Sequence, residues 1–381
     1  MRIILAQICS YPPEIGKTDI FEYAQSLLKL GHSVYLICGQ KNDNQSSQDN
    51  LKVISLNLPL QESLTVSWKY AFAFYKQIVA IHRSSPVDVV HILNPFFLAF
   101  ICLKLIWLRN LFHKEKIKTI FDVRTGPIRR GYRKWLSRSL MRLASFFADR
   151  TTVLDRSLAQ HIFGDKNTVV LPLGVNQMLF TPKPETRASQ RHKLGFRESD
   201  FVFIYSGSMD RRRALKALIQ GFILASNNFH HIKLLMIGDG NDRVDLKKYA
   251  QKKLPGYIEF SGQIPYQKMP EFLQMADVAL SYIPQKSYYE YQPPLKTPEY
   301  LATGLPVLAT NTSGNKVFIK DGWNGVIIND TPEEILRGIT KIIATKDSLR
   351  KNTRSDINRF SWDTIVNDKL VPEYLSLTGR Y

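Results

Sequence analysis

The stretch Phe201-Val-Phe-Ile-Tyr-Ser-Gly207-Ser-Met-Asp-Arg-Arg-Arg213 decides the fold class of this chain. An apolar β-run ends in a glycine turn, three arginines follow, and the pattern predicts a helix from about Ala214. A helix N-terminus offers unpaired N–H groups and a positive dipole end, which suit a phosphate group. Arginine adds a permanent charge and a planar fork that can hold two oxygens. The stretch indicates an α/β phosphate site, with a solvated basic turn as the open alternative.

The alternation of strand and helix continues through the second half of the chain. Further strands are predicted at Lys233–Ile237, Tyr257–Phe260, Val278–Tyr282, Val307–Thr310 and Gly325–Ile328. The glycines of Ile237-Gly238-Asp-Gly240 lack the full dinucleotide-binding fingerprint, so a tight turn is the favoured interpretation there.

The first half follows the same pattern. Strands are predicted at residues 2–9, Val34–Cys38, Val87–Ile92, Thr119–Val123 and Arg150–Val153, and a helix from Ile20 to Leu30. Between the halves, a polar stretch with three prolines near Pro172 to Arg191 is typical of a linker. Strands alternating with helices give parallel sheets covered on both faces. The sequence therefore predicts two doubly wound domains in tandem, each binding ligand at the carboxyl ends of its strands.

The charge of the chain indicates an anionic partner. The formal net charge is +19 over 381 residues, and residues 1–175 carry 23 Lys and Arg against 12 Asp and Glu. Nucleic acid, anionic lipid head groups and phosphate-bearing substrates all fit such an excess. Its uneven distribution directs the search for the anionic surface to the first half.

The N-terminus runs directly into strand-like sequence and lacks the apolar region and cleavage site of a signal peptide. The three cysteines, Cys9, Cys38 and Cys102, lie in apolar runs without metal spacing, which favours buried free thiols in a reducing compartment. The most apolar stretch, Phe96 to Leu108, is too short to span a bilayer, since a span takes about 20 apolar residues. We expect a cytoplasmic protein that lies on the inner face of a membrane without crossing it.

A second informative stretch is Pro293-Pro-Leu295-Lys296-Thr-Pro-Glu299-Tyr-Leu-Ala-Thr-Gly304-Leu-Pro-Val307. Pro298 fits a first helical turn, Glu299 lies beside the positive end of that helix, and Gly304 ends it before a strand. A lone glutamate at this place usually compensates the helix dipole, and that interpretation stays open.

In order and spacing, these segments resemble the retaining glycosyltransferases of family 4, which have the GT-B fold of two Rossmann-like domains facing a central cleft. The likeness covers nearly the whole chain. Besides the stretches above, it rests on Pro12-Pro13-Glu-Ile-Gly16, Leu30-Gly31-His32-Ser-Val34, Asp88-Val-Val-His91, Leu171-Pro172-Leu-Gly174-Val175-Asn176 and Phe360-Ser-Trp362.

The resemblance implies a role for each matching residue. Glu299 would hold the donor ribose, Lys296 and one or two of the arginines would neutralise the diphosphate, and Gly16 would allow close backbone approach. The implied catalytic residues are Lys296, Arg212, Arg213 and His91. The implied donor-binding residues are Glu299, Gly16, Gly207, Arg211, Gly262, Gln263, Ile264, Glu290 and Leu295. The resemblance implies neither a metal nor a cofactor, since fixed cations and N–H groups would stabilise the leaving diphosphate.

The chain also departs from the family pattern. The family often carries two glutamates separated by seven residues; here Tyr291 stands eight before Glu299, and Glu290 is one step off register. Lys17 replaces the second glycine of the first loop, Ser208 an arginine, and Leu93 a histidine. A histidine that ends an apolar strand, such as His91, is more often a packed core residue.

The resemblance also assigns the domains. Residues 1–175 would form an acceptor-side domain, 176–195 a linker and 196–360 the nucleotide-sugar-binding domain. Residues 361–381 would form a C-terminal helix that packs back on the N-terminal domain.

Residues 129–150 form a basic amphipathic segment. Apolar residues recur at helical spacing at Tyr132, Trp135, Leu136, Leu140, Leu143, Phe146 and Phe147. Four cations alternate with them: Arg133, Lys134, Arg138 and Arg142. One interpretation is a core-packed helix with a solvated basic side; the other is a helix on anionic lipid. Nucleic acid is not expected, because no recognised binding module is present.

The sequence thus predicts transfer of a sugar from a nucleotide-diphosphate sugar to a lipid-linked or glycan acceptor, with retention and without metal. A role in polysaccharide biosynthesis of the cell envelope fits this prediction. Two alternatives remain: a non-catalytic GT-B-like accessory subunit and a sugar-nucleotide epimerase.

Overall fold

The structure is a computed structural model that describes residues 1–11, 18–41, 50–60, 64–93, 96–127, 131–164, 168–290 and 293–380. The chain forms two compact units. The first contains Met1–Gly174 together with Trp362–Tyr381, and the second contains Val175–Ser361. Each unit is an α/β structure with its own parallel sheet.

The first unit is built on a seven-stranded parallel sheet of order β5-β3-β1-β6-β7-β8-β9, with β2 and β4 paired beside it. Its strands are β1 Arg2–Ala6, β2 Ser10–Tyr11, β3 Ser33–Cys38, β4 Gln40–Lys41, β5 Leu51–Ser55, β6 Val89–Leu93, β7 Lys118–Val123, β8 Arg150–Val153 and β9 Thr168–Val170. The helices between them are α1 Asp19–Lys29, α2 Leu64–Ser84, α3 Phe96–Phe112, α4 Tyr132–Phe147 and α5 Arg156–Phe163.

The second unit repeats the arrangement with a six-stranded parallel sheet of order β12-β11-β10-β13-β14-β15. Its strands are β10 Phe201–Ser206, β11 Ile232–Ile237, β12 Ile258–Gly262, β13 Val278–Ser281, β14 Val307–Thr310 and β15 Gly325–Ile328. Its helices are α6 Arg187–Lys193, α7 Leu215–Ser226, α8 Arg243–Lys253, α9 Met269–Gln274, α10 Lys296–Ala302, α11 Ser313–Lys316 and α12 Pro332–Arg350.

The central strands are almost continuously apolar because helices cover both faces of a parallel sheet. In β6 and β14 every residue is buried, and the same holds for all but the first residue of β10. The predicted α/β class with two doubly wound sheets is therefore confirmed.

The C-terminal segment belongs to the first unit. It runs through α13 Trp362–Ile365, a π-helical turn at Val366–Leu370 and α14 Val371–Thr378. Trp362 packs so closely on Gly174 that a Cβ there would lie 2.4 Å from the indole ring. Asp363 accepts hydrogen bonds from Ser26 Oγ at 2.6 Å and Lys29 Nζ at 2.8 Å. These contacts hold the segment against α1.

The stretch 176–195, predicted as a linker, lies in the second unit and contains α6. Arg191 in α6 is almost fully buried. Its guanidinium donates to the Met275 carbonyl at 2.9 Å, to the Asp200 carbonyl at 3.0 Å and to Asp277 Oδ2 at 2.8 Å. A buried arginine that satisfies carbonyls in this way fixes the helix to the sheet, so its polarity does not indicate solvent exposure.

Two further findings concern membranes and thiols. No helix among the described residues has the length and apolarity needed to cross a bilayer. Cys9, Cys38 and Cys102 are buried and none of the three forms a disulfide bond, as expected of buried thiols.

Candidate functional site

The second unit has a topological switch point between β10 and β13, where the strand order reverses. Connections leave the carboxyl ends of these two strands in opposite directions, and the resulting crevice is where open α/β sheets bind ligands. Residues 207–214 follow β10, and residues 282–295 follow β13. The two stretches that the sequence singled out therefore meet at one place in the fold.

The loop after β10 rests directly on the loop after β11. Gly207 N donates to the Ile237 carbonyl at 2.9 Å, and Met209 N donates to the Asp239 carbonyl at 2.8 Å. A Cβ on Gly238 would lie 2.0 Å from the Gly207 carbonyl oxygen, and both Gly238 and Gly240 have φ in the region that favours glycine. The two glycines therefore allow this segment to lie against the Gly207 loop. The predicted turn lies one step later, where Arg243 N donates to the Gly240 carbonyl at 3.1 Å.

The three arginines form a 3-10 turn, Arg211–Arg213, and α7 begins one residue later than predicted, at Leu215. Ala214 joins the two in a left-handed conformation with φ 49°. The Arg213 guanidinium lies over the Tyr289 ring at 4.7 Å from its centroid. Arg211 is exposed and lies 3.8 Å from Asp242 and 3.7 Å from Asp245. Arg213 therefore lies beside the segment that follows β13, whereas Arg211 is engaged with α8.

Lys296 is the first residue of α10, and its ammonium lies 3.9 Å from the centroid of the Tyr205 ring. The same Nζ would lie 3.8 Å from a Cβ placed on Gly207. Burial and the neighbouring Arg213 cation hold the pKa of Lys296 well below the usual lysine value, and Glu299 partly opposes them. Gly207, Arg213 and Lys296 thus converge at the switch point, and two of them are cations.

Hydrogen bonds from α10 to both strands of the switch point fix the position of Lys296. The Tyr300 hydroxyl lies 2.8 Å from Ser206 Oγ and accepts from Ser206 N at 3.0 Å, at the end of β10. Thr297 Oγ1 lies 2.7 Å from Ser281 Oγ, at the end of β13. All these groups are buried, so the bonds are protected from competition with water. These bonds hold Lys296, and Glu299 one turn further along α10, beside the crevice at the switch point.

Glu290 and Leu295 precede Lys296 in the chain. Leu295 is the N-cap residue of α10. Glu290 Oε1 accepts from Ser313 N at 3.1 Å, and the Ser313 hydroxyl donates to the Glu290 carbonyl. This pairing ties Glu290 to the start of α11, while its neighbour Tyr291 lies outside the described residues.

The segment Gly262-Gln263-Ile264 closes β12 at the edge of the sheet. Gly262 has φ 76°, and its carbonyl accepts from Gly238 N at 2.9 Å. Gln263 is exposed and Ile264 is buried. The segment therefore continues the row of loops that begins at Gly207.

His91 lies in the first unit and its ring is completely buried within β6. Its Nδ1 lies 2.7 Å from the Tyr374 hydroxyl, and its Nε2 lies 3.4 Å from Asp122 Oδ2. The buried Arg124 pairs with the same carboxylate at 3.3 Å and with Asp19 at 3.1 Å. This burial fits the packed-core interpretation of His91, in which the ring ties α14 to the sheet. Gly16, its predicted companion in this half, lies outside the described residues.

Tyr205, Tyr289 and Tyr300 were not among the predicted site residues. Tyr205 and Tyr289 lie beneath the two cations, and Tyr300 anchors α10. For Tyr205 the sequence offers one signal, its place in the strand directly before the arginine turn.

In α4, the buried residues are Ser137, Met141 and Ala144, whereas Trp135 and Phe146 on the aromatic stripe are exposed. The core-packed interpretation of this stripe is therefore wrong for most of its length. Phe147 is the exception, because it packs against Trp107 and Phe100 of α3. The described residues contain no group of three or more His, Cys, Asp or Glu arranged to hold a metal ion.

Two family profiles match the chain. The profile described as "Glycosyl transferases group 1" matches residues 186–359, and that described as "Glycosyl transferase 4-like domain" matches residues 17–174. Together the two matches take in most of the sequence, one in each half.

Known proteins resemble the chain over most of its length. It is 24% identical to the alpha-monoglucosyldiacylglycerol synthase of Acholeplasma laidlawii over 347 residues, which cover 85% of this chain and 83% of that protein. The enzyme of the same name from Streptococcus pneumoniae is 22% identical over 93% of this chain and 81% of its own.

Solved structures share the fold. Sucrose-phosphate synthase from Thermosynechococcus elongatus superposes with a TM-score of 0.79 at 17% identity, over 100% of both chains. Anabaena HepE in complex with UDP-glucose superposes with a TM-score of 0.76 at 15% identity, over 99% of both chains.

Proposed function

The chain belongs to the family 4-like glycosyltransferases of the GT-B fold, and on that premise we propose that it uses a nucleotide-diphosphate sugar as donor and a lipid-linked glycan as acceptor. Glycosyl transfer is the activity of the family. Retention of the anomeric configuration, the donor and the acceptor are the parts that we add.

One observation carries the donor proposal: Lys296, Arg213 and Gly207 converge where the sheet order reverses. Breaking the bond between the sugar and the phosphate leaves a nucleoside diphosphate with additional negative charge. Arg213, and Lys296 once it is protonated, face this charge as it forms, which lowers the barrier. Buried hydrogen bonds fix the helix that carries Lys296. HepE binds UDP-glucose, so uridine nucleotides are the first candidates.

The remaining donor residues take roles around this centre. We assign Glu299 to the ribose hydroxyls and the backbone of Gly262, Gln263 and Ile264 to the base. We assign Glu290, which is tied to the start of α11, and Leu295, the N-cap residue of α10, to the sugar. Arg211 and Arg212 would add positive potential around the diphosphate, and Gly16 would admit it closely.

We further propose that transfer needs no metal ion, because Lys296 and Arg213 supply the neutralising charge. The acceptor proposal draws on the relatives named alpha-monoglucosyldiacylglycerol synthase and on the exposed aromatic stripe of α4. Both observations fit a cytoplasmic enzyme that acts in envelope glycan synthesis. It would bind anionic lipid through residues 129–150.

The first test is a thermal-shift screen of UDP-, GDP- and ADP-sugars, followed by transfer assays with the sugar that binds. In the same assays, Glu299→Ala should weaken donor affinity about tenfold or more, since hydrogen bonds to a charged group contribute about 1.5–3 kcal/mol each.

The matched control is Glu333→Ala, which removes a carboxylate from the first turn of α12. Each variant loses a carboxylate that interacts favourably with the positive end of a helix. Of the two glutamates, only Glu299 lies beside Lys296. Equal donor affinity in the two variants would mean that Glu299 only compensates the helix dipole and does not bind the donor. Donor binding without any turnover would favour the accessory-subunit alternative.

A further inference from the structure

We propose that α2, α3 and α4 together form one docking surface for an anionic lipid bilayer, here called the three-helix face. The inference deepens the proposed function by giving the acceptor membrane a defined binding surface. It also extends the surface from the α4 segment to two further helices.

The exposed apolar side chains of the molecule are concentrated on these three helices. Fifteen large hydrophobic residues are exposed among the described parts of the chain, and eleven of them lie on α2, α3 or α4. They are Trp68, Phe72, Trp107, Leu108, Leu111, Phe112, Tyr132, Trp135, Leu136, Leu143 and Phe146. Scattered single apolar residues need no explanation, but a cluster of this kind marks a binding surface.

The cluster is continuous from one helix to the next. Trp68 of α2 stacks on Phe72 and meets Phe97 of α3 at 5.6 Å between ring centroids. Near the other end of α3, Trp107 meets Phe147 of α4 at 5.4 Å, and Phe147 in turn contacts Phe146 at 5.2 Å. The ring contacts therefore link α2 to α3 near one end of α3 and α3 to α4 near the other.

The pattern of burial along α4 shows which side of that helix packs inward. Ser137, Met141 and Ala144 are buried, whereas Trp135 is 70% exposed and Phe146 is 72% exposed. A helix that serves only the core buries its large apolar side chains. Here Met141 and the small residues Ser137 and Ala144 make the internal contact, so most of the large aromatic side chains are left for an external partner.

The charge of the three helices identifies that partner as anionic. They carry nine Lys and Arg residues and no Asp or Glu. The cations are Lys69, Lys76, Arg83, Lys104, Arg109 and four on α4, here called the α4 cations: Arg133, Lys134, Arg138 and Arg142. Cations interleaved with tryptophan, tyrosine and phenylalanine are the pattern of a surface that lies at a membrane interface, with aromatic rings in the boundary and cations at the phosphates.

A second copy of the chain is a poorer occupant of this face. In a symmetric dimer the same patch meets itself. Two patches that carry only positive charge would repel each other, which is unfavourable where the charges are desolvated. An anionic bilayer satisfies both the apolar area and the charge.

The inference is tested with one substitution per helix: Phe72→Ser in α2, Phe112→Ser in α3 and Trp135→Ser in α4. The three side chains are 46%, 84% and 70% exposed, so their loss should leave the fold intact. Binding is measured by sedimentation with vesicles of phosphatidylcholine alone and of phosphatidylcholine with phosphatidylglycerol. Each variant should show an approximately tenfold lower partition coefficient into the anionic vesicles.

The matched controls are Met178→Ser and Trp323→Ser, which remove exposed apolar side chains from the second unit. Both should bind vesicles like the unmodified protein. Circular dichroism and thermal melting confirm folding of each variant, and Phe112→Ser, the most exposed, provides the decisive measurement.

Several outcomes would overturn the inference. If only Trp135→Ser weakens binding, the surface is α4 alone. If the protein is a dimer that the three substitutions dissociate, a second copy covers the face. Preferential binding to a nucleic acid competitor, abolished by the same substitutions, would also contradict a lipid surface. Because no donor is present, vesicle binding and the donor proposal succeed or fail independently.

Discussion

At the residue scale, Lys296 is a half-buried lysine at the start of α10, and it is the residue that we assign to the diphosphate. Burial and Arg213 hold its pKa well below the usual lysine value of 10.5. A bound nucleoside diphosphate would bring compensating negative charge and raise that pKa again. We therefore expect diphosphate binding to take up a proton, and its affinity to fall as the pH rises through the pKa of Lys296 in the free protein. Calorimetry in buffers of different ionisation enthalpy measures the uptake.

The same shift has a consequence for stability. Between the lowered pKa and 10.5 the unfolded chain binds more protons than the folded one, so the contribution of Lys296 to stability rises with pH. Lys296→Met should accordingly raise the melting temperature at neutral pH while it weakens diphosphate binding about tenfold or more. Lys233→Met, which removes a cation over the Tyr257 ring, is the control and should leave diphosphate binding unchanged. A variant that melts lower and binds normally would assign Lys296 a structural role.

Ala214 holds a left-handed conformation between the arginine turn and α7. That conformation costs an L-residue about 1–2 kcal/mol, and glycine loses about 0.5–1 kcal/mol of chain entropy in exchange. Ala214→Gly should therefore leave the free energy of unfolding unchanged or raise it by up to about 1.5 kcal/mol. Ala344→Gly, at an exposed position within α12, should instead lower it by about 0.5–1 kcal/mol. Chemical denaturation of both variants makes the comparison, and equal losses would mean that the left-handed backbone is not strained.

At the element scale, α4 shows how far a pattern can be interpreted without its neighbours. The helical spacing of its aromatic residues correctly predicted an amphipathic helix, but it could not tell which side packs inward. The observed inward side consists of Ser137, Met141 and Ala144, which also lie at helical spacing but are less apolar than the aromatic stripe. Only the position of α3 beside it decides the orientation.

Replacement of the four α4 cations by Gln tests the role of this helix in catalysis. Gln preserves helix propensity and removes the charge, but the variant also loses the hydrogen bond from Arg142 Nε to the Ile162 carbonyl at 2.6 Å. Circular dichroism and thermal melting therefore have to show that the variant is folded. We expect transfer to a lipid-embedded acceptor to fall at least about tenfold, and turnover of soluble donor to stay unchanged. Added salt should lower activity on lipid in the unmodified protein, since surface charges are screened.

The control for this variant carries four Gln substitutions on α8, at the exposed Lys247, Lys248, Lys252 and Lys253. It loses the same net charge from the second unit. If both variants lose the same fraction of activity on lipid, net charge rather than α4 attracts the protein to the membrane.

The α10 element illustrates the reverse case. The sequence predicted a helix with Pro298 and Glu299 in its first turn and Gly304 at its end. Gly304 does follow the end of α10, with φ 79°. The bonds from Thr297 to Ser281 and from Tyr300 to Ser206 could not be foreseen. They join residues far apart in the chain, and polar side chains at such positions have many other possible partners.

At the scale of the whole molecule, we expect activity to survive chelation. Because Lys296 and Arg213 are assigned to the leaving diphosphate, EDTA should change the rate of transfer less than about twofold, since no metal contributes to the barrier. Assays with EDTA, with EDTA and excess Mg²⁺, and with Mn²⁺ measure the effect. Loss of activity that either metal restores would contradict the proposed charge neutralisation.

The sequence by itself determined the two doubly wound sheets, because each central strand is a short apolar run bounded by turn residues and separated by helical periodicity. It also determined that the cationic stretch Arg211–Arg213 follows a strand and where α10 begins. Glycine and proline have local backbone preferences, and charged residues have local preferences for helix ends. The tertiary structure decided which arginine approaches Lys296, that His91 is buried behind Tyr374, and that the aromatic stripe of α4 faces outward. These outcomes depend on which distant residues pack together, and local periodicity carries no information about such contacts.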